Sequence, residues 1–191
     1  MKIATGLLGA CLLLTACSEP RPAAPPTVTV TAPALTPAPA VDPATLGWMD
    51  GFCSAIHGYR KRTTEEVGPG EPEPHSVADA QKALSEQLGG IADRTGEVVD
   101  RLAALPKAPV PLAETVREAF AGKYATARDR ARDAKTALDR AKPGDVASQD
   151  PAMAALQQAQ QDVDGTYDPV APLAESPEML AAAASAPGCK A

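Results

Sequence analysis

The chain has 191 residues, a formal net charge of −6, and only one Trp, two Phe and three Tyr. An acidic balance argues against nucleic acid as a partner, because phosphate binding requires clustered basic side chains. The length suffices for one domain with a hydrophobic core, preceded by the short segments described next.

The N-terminus has the features of an export signal. Lys2 precedes an apolar stretch from residue 3 to residue 16, whereas a membrane-spanning helix needs about 20 residues. A charged start, a short apolar core and small residues at its end are typical of a signal peptide. Cys11 lies inside the apolar core and is interpreted as a small hydrophobe that is removed with the signal.

Residues 14–17 read Leu-Thr-Ala-Cys, which resembles the lipobox of bacterial lipoproteins. The resemblance implies that the Cys17 thiol is joined to diacylglycerol and that the chain is cut just before Cys17. It predicts an envelope lipoprotein, bound to the cell membrane on its extracytoplasmic face through this lipid. Abundant Ala, Pro and Arg without any Asn further resemble proteins of high-GC bacteria. The alternative is a plain secretory signal, which would leave Cys17 as an ordinary thiol.

Three regions follow from these patterns: a signal peptide at 1–16, a lipidated linker at 17–42, and a domain at 43–191. The linker is rich in Pro, Ala and Thr and has no apolar period, so it is predicted to be disordered. Its segment Thr-Val-Thr-Val-Thr at 27–31 alternates like a strand, but no partner strand is evident, and it is interpreted as part of the linker.

The domain is predicted to be all-α, an antiparallel bundle of about four main helices and a short C-terminal one. Apolar residues recur at three and four positions, which is the helical period. Asp42, Ser76 and Ser176 are the predicted N-terminal caps. Predicted inward positions include Val77 of the second helix and Met153 and Tyr167 of the fourth. The predicted helices cover residues 43–62, 76–105, 112–141, 150–167 and 176–185.

Cys53 and Cys189 are the two cysteines of the domain, and they are predicted to form a disulfide. Export places them in an oxidising compartment, where an even pair of thiols is usually bonded. The bond would tie the first helix to the C-terminus and close a long loop, which stabilises by about 4–5 kcal/mol. Metal ligation or a reactive thiol is the alternative, although neither cysteine has a CxxC neighbour or a basic cluster beside it.

No set of residues predicts catalysis, a cofactor or a metal site. His57 lies four residues after Cys53, but a metal site needs three or four converging ligands, and His75 lies apart at a helix start. Ser54 and Ser85 lack the glycine elbow of a serine hydrolase. The basic run at 123–135 contains acidic residues at helical spacing, which favours self-paired charges over a ligand surface.

These observations predict a lipid-anchored, extracytoplasmic helical protein that binds or has a structural role in the bacterial envelope, and that is not an enzyme. Its partners would be the membrane, through Cys17, and another envelope protein or the cell wall. The alternative is a carrier lipoprotein that holds a small ligand or a metal between its helices.

Overall fold

A computed structural model describes residues 41–66 and 74–190, which form a bundle of five α-helices. No strand occurs within those two ranges, and the predicted all-α bundle is confirmed. The predicted signal peptide at 1–16 and nearly all of the predicted linker at 17–42 lie outside the described residues. The helices are α1 Pro43–Glu66, α2 Val77–Ala103, α3 Pro111–Arg140, α4 Gln149–Asp162 and α5 Pro177–Ser185.

The predicted capping residues begin three of the helices. The Asp42 carboxylate accepts the backbone N–H of Thr45 at 2.9 Å, and this bond lowers the pKa of the Asp42 carboxyl. At the start of α2, the Ser76 hydroxyl accepts the N–H of Asp79 at 3.1 Å, and Ser176 caps α5 in the same way. Each cap satisfies a backbone donor that has no partner inside its helix.

The α2–α3 hairpin is the most extensive helix pair in the bundle, as the matched lengths of the two segments predict. Large aliphatic side chains of α2 pack against aromatic and alanine side chains of α3. Burial of this apolar surface stabilises at roughly 25 cal/mol per Å². The buried apolar residues are Leu84, Leu88, Ile91, Ala92, Val98 and Leu102 of α2 and Ala113, Val116, Phe120, Tyr124, Ala127, Ala131 and Leu138 of α3.

Helix α1 extends further than the sequence predicts, because it ends at Glu66 and not near residue 62. The hydroxyls of Thr63 and Thr64 donate to carbonyl oxygens four residues earlier, at 2.9 Å and 3.0 Å. Arg62 forms an ion pair with Glu97 of α2, which fixes the last turns of α1 on the bundle. Local hydrogen bonds and this tertiary contact therefore continue the helix through a polar stretch that was predicted to be a loop.

Helix α1 also contributes the aromatic centre of the core. Trp48, which the helical pattern did not mark as inward, is only 1% exposed. Its ring stacks on Phe52 with centroids 5.1 Å apart, and Phe52 packs against Phe120 of α3 at 5.3 Å. Further along α1, Tyr59 meets Tyr124 edge to face at 5.2 Å. These contacts seat α1 on the hairpin along its whole buried face.

Three residues that were predicted to point inward are exposed. Val77, Met153 and Tyr167 have 45%, 44% and 43% of their surface accessible. Val77 is the first residue of α2, and Met153 lies beside the narrow stripe of alanines through which α4 is buried. The chain leaves α4 at Asp162 and turns at Gly165 with φ of 77°, so helical spacing no longer governs Tyr167.

Candidate functional site

The predicted lipidation site, Cys17, lies outside the described residues, and its modification stays a prediction. Among the residues that the structure describes, no helix has the length and apolarity needed to cross a membrane.

The disulfide between Cys53 and Cys189 is confirmed. It joins the middle of α1 to a 3₁₀ turn, Pro187–Cys189, with the two Cα atoms 4.9 Å apart. Cys53 is fully buried, whereas Cys189 is partly accessible. We call this bond, together with the contacts of residues 187–189 to α1, the C-terminal junction.

Directed hydrogen bonds surround the disulfide of the C-terminal junction. The backbone N–H of Gly188 donates to the Asp50 carboxylate at 2.6 Å, and His57 Nδ1 donates to the Gly188 carbonyl at 2.8 Å. A Cβ at Gly188 would lie 2.6 Å from the Asp50 carbonyl oxygen, so only glycine fits against α1 here. His57 thus has a structural partner in this junction.

The histidines do not combine with other side chains into a metal centre. In the described ranges, no group of three or more His, Cys, Asp or Glu side chains could hold a metal ion. The sulfur of Cys53 is bonded to Cys189, and His57 Nδ1 is hydrogen-bonded to the Gly188 carbonyl, so the C-terminal turn engages both residues. His75 is exposed beside the start of α2.

Ser85 belongs to a three-residue cluster between α2 and α3. Its hydroxyl donates to Asp139 at 2.5 Å, and Lys135 Nζ donates both to Ser85 Oγ at 2.9 Å and to Asp139 at 2.6 Å. The bonds from Lys135 and Ser85 lower the pKa of the Asp139 carboxyl. A carboxylate that is stabilised in this way is a weaker base than a free one. The cluster links the two helices.

The basic run at 123–135 serves contacts within the bundle. Arg130 donates to Asp162 of α4 at 2.7 Å and to Gln158 at 2.9 Å. Arg128 pairs with its neighbour Asp129 at 2.7 Å. The predicted self-pairing at helical spacing is therefore wrong for these two arginines. Arg130 joins α3 to α4, and Arg128 pairs with the next residue along the chain.

A groove of ≈450 Å³ lies between α1 and the end of α4. It opens there because α1 packs mainly on α2 whereas α4 packs mainly on α3. Glutamine, tyrosine and threonine side chains line it, with a single carboxylate. We call it the polar groove; its lining residues are Tyr59, Thr63, Gln157, Gln160, Gln161, Asp164 and Tyr167.

The tyrosines beneath and beside the polar groove are held in place by neighbouring residues. The hydroxyl of Tyr124, which supports Tyr59 edge to face, is hydrogen-bonded to Thr166 Oγ1 at 2.9 Å. Burial raises the pKa of Tyr59, and burial followed by the charge of Asp164 raises the pKa of Tyr167. Both phenols that line the groove therefore stay neutral at physiological pH.

Sequence reasoning did not identify the polar groove. The feature of the sequence that could have indicated the groove is the spacing of Gln157, Gln160 and Gln161. This spacing places three carboxamides on one face of α4. The partner wall includes Thr63, which was assigned to a loop because α1 was predicted to end before it.

Comparison with known proteins does not assign this chain: no protein-family model, no curated protein and no solved structure matches it. The described residues define the class of the domain, a helical bundle whose C-terminus is disulfide-bonded to its first helix. The N-terminal motif, the disulfide and the polar groove are the features of this chain that bear on its function.

Proposed function

We propose that the protein is a lipid-anchored, extracytoplasmic binding or structural protein of the bacterial cell envelope. Diacylglycerol on Cys17 would hold it to the membrane. The observation that carries the proposal is the disulfide between Cys53 and Cys189. Disulfides form and persist beyond the cytoplasmic membrane and are rare inside it. The bond therefore agrees with the compartment that the Leu-Thr-Ala-Cys motif predicts from the other end of the chain.

The linker at 17–42 would set the reach of the domain from the membrane. Its prolines favour an extended chain of about 3.1 Å per residue, which gives a maximum separation of roughly 75 Å. The bundle would present its faces to another envelope protein or to the cell wall over that range. A net charge of −6 favours such partners over nucleic acid.

We prefer a binding role to a catalytic one because the polar side chains of the domain are hydrogen-bonded to other groups of the domain. Asp139 holds Lys135 and Ser85, and the 3₁₀ turn at residues 187–189 holds His57. A nucleophile would instead need a base that is positioned to accept its proton. The proposal therefore assigns no reaction to these groups.

The alternative of a small-ligand carrier rests on the polar groove, which has the volume of a ligand site. Its glutamines and tyrosines suit a polar ligand better than an apolar one. Native mass spectrometry of protein recovered from membranes tests this alternative directly. A ligand or metal retained in stoichiometric amount would favour the carrier, and a mass that contains only protein and lipid would favour the display of a binding surface.

The anchor is tested by substituting Cys17→Ser and following incorporation of a labelled fatty acid in a bacterial host. We expect no label and an accumulation of uncleaved precursor. Cys11→Ser is the matched control, because it removes a thiol from the same signal segment and should leave labelling unchanged. Label that persists in the Cys17 variant would contradict the proposal.

A further inference from the structure

We propose that the polar groove binds an uncharged saccharide chain. The inference deepens the proposed function and rests on it, because an envelope domain on a tether would face the glycan of the cell wall. It is argued from three properties of the groove: its carboxamides, its exposed aromatic ring and its low charge.

The first property is a row of unengaged carboxamides. Gln157, Gln160 and Gln161 are exposed on one face of α4 and line the groove. None of their side chains is hydrogen-bonded to another residue in the described part of the chain. Each amide can donate two hydrogen bonds and accept two more, which matches hydroxyl and N-acetyl groups that both donate and accept. By contrast, the neighbouring Gln158 lies outside the groove and is engaged by Arg130.

The second property is an exposed aromatic ring on a turn whose backbone is held by two other helices. Tyr167 is 43% exposed at the edge of the groove. Arg60 of α1 donates to its carbonyl oxygen at 3.3 Å, and Lys123 of α3 donates to the carbonyl of Asp164 at 2.5 Å. The turn after α4 is therefore held by two other helices. An exposed aromatic face on a held backbone can stack on the C–H face of a sugar ring, and less backbone freedom is then lost on binding.

The third property is the near absence of charge in the lining. Asp164 is the one ionised side chain among the seven lining residues, and the tyrosines remain neutral. An anionic polymer would need basic groups here, and a cationic ligand would need several acids. A bound peptide would use pockets for its side chains, but the lining contains no aliphatic residue. A neutral, hydroxyl-rich chain fits this lining best.

The test is calorimetric titration of the full mature chain, purified in detergent, with chitotetraose and, separately, with maltotetraose. Both are neutral tetrasaccharides, and only chitotetraose carries N-acetyl groups. We expect at least one of them to bind, with an affinity that changes less than about twofold between low and high salt, because no charges pair. Tyr167→Ala should weaken binding about tenfold, and Tyr167→Phe should retain it.

The carboxamides are tested with a matched pair of variants. The double substitution Gln157→Ala and Gln161→Ala should weaken binding about tenfold, because two hydrogen-bonding groups are lost. Gln158→Ala, one residue away but outside the groove, should bind like the wild type. All these positions are exposed, so the variants should fold.

Failure to bind either saccharide, binding that survives Tyr167→Ala, or equal weakening by Gln158→Ala would overturn the inference. Binding of a neutral peptide in place of both saccharides would overturn it as well. Loss of the anchor would not affect these titrations, so this inference and the proposed anchoring fail separately.

Discussion

The α2–α3 hairpin and the C-terminal junction stabilise the bundle in different ways. In the hairpin, buried aliphatic residues such as Leu88 and Leu102 recur along two long helices, and the interface is distributed over many side chains. In the C-terminal junction, three residues at 187–189 meet α1 through one disulfide and two short hydrogen bonds. The disulfide of the junction joins two residues that lie 136 positions apart in the sequence.

Regularly spaced apolar side chains stabilise one part of this small bundle, and a few specific bonds stabilise another. The hairpin is specified by local spacing in the sequence, and α1 and α4 both pack on it, so its buried interface supports the rest of the bundle. The C-terminal junction depends on single groups, above all Cys53, Cys189 and Gly188. We therefore expect substitutions in the junction to act locally and those in the hairpin to act on the whole fold.

The largest effect is expected when the disulfide is removed with Cys53→Ser and Cys189→Ser. The free energy of unfolding should fall by about 4 kcal/mol, because the bond restricts a loop of 136 residues in the unfolded chain. Amide hydrogen exchange should accelerate first in α5 and in residues 187–189, whereas α2 and α3 stay protected. Denaturant melts and exchange measurements check this. Identical melts, or earlier exposure of the hairpin, would refute the local character of the junction.

The hairpin is tested by Leu88→Ala, which removes a fully buried side chain at its centre. The free energy of unfolding should fall by about 3 kcal/mol, because a cavity remains in the packed interface. Leu180→Ala is the matched control, since Leu180 is 40% exposed on α5 and should change stability by less than about 0.5 kcal/mol. Exchange should accelerate throughout the bundle in the Leu88 variant. An effect restricted to the C-terminus would contradict the account.

A smaller effect is expected from Gly188→Ala, which should destabilise by about 2 kcal/mol. The added Cβ would lie 2.6 Å from the backbone oxygen of Asp50, and backbone cannot move aside as a flexible side chain can. Gly47→Ala is the control, because a Cβ added at Gly47 would meet nothing within 4 Å and alanine favours the helix. Chemical denaturation should give opposite signs for the two variants. Equal signs would show that the C-terminal junction tolerates a side chain.

The smallest effect concerns the pH dependence of the α1 cap. The pKa of Asp42 is lowered from its ordinary value of 3.8 because the carboxylate accepts the N–H of Thr45. The cap therefore stabilises above that pH, and its contribution is lost as pH falls through the lowered pKa. Asp42→Ala should cost stability at neutral pH and nothing well below the ordinary value. Thermal melts over that range check it, and a difference that persists in strong acid would contradict the assignment.

Much of the fold could be predicted because its signals are local. The heptad spacing of Leu84, Ile91 and Val98 predicts a buried face on α2, and proline-containing turns mark the ends of the hairpin. Ser76 and Ser176 cap the helices that their positions indicate. The pairing of Cys53 with Cys189 followed from their number and the predicted compartment.

The rest could not be predicted because it depends on contacts between distant elements. The last turns of α1 persist because Arg62 reaches Glu97, which also binds Arg101 on α2. Tyr167 is exposed because the chain turns at Gly165 after α4, which no helical period reveals. The polar groove requires that α1 packs mainly on α2 and α4 mainly on α3, and this arrangement is visible only in the folded chain.

The most direct test of the central claim is the intact mass of the protein recovered from bacterial membranes without reductant. The account predicts a chain that begins at Cys17, carries diacylglycerol on that residue, and lacks the two hydrogens lost in the bond between Cys53 and Cys189. Treatment with a thiol-alkylating reagent under denaturing conditions should leave this mass unchanged. A chain without lipid whose mass increases by three alkyl groups, one each on Cys17, Cys53 and Cys189, would contradict both the anchor and the oxidised C-terminal junction.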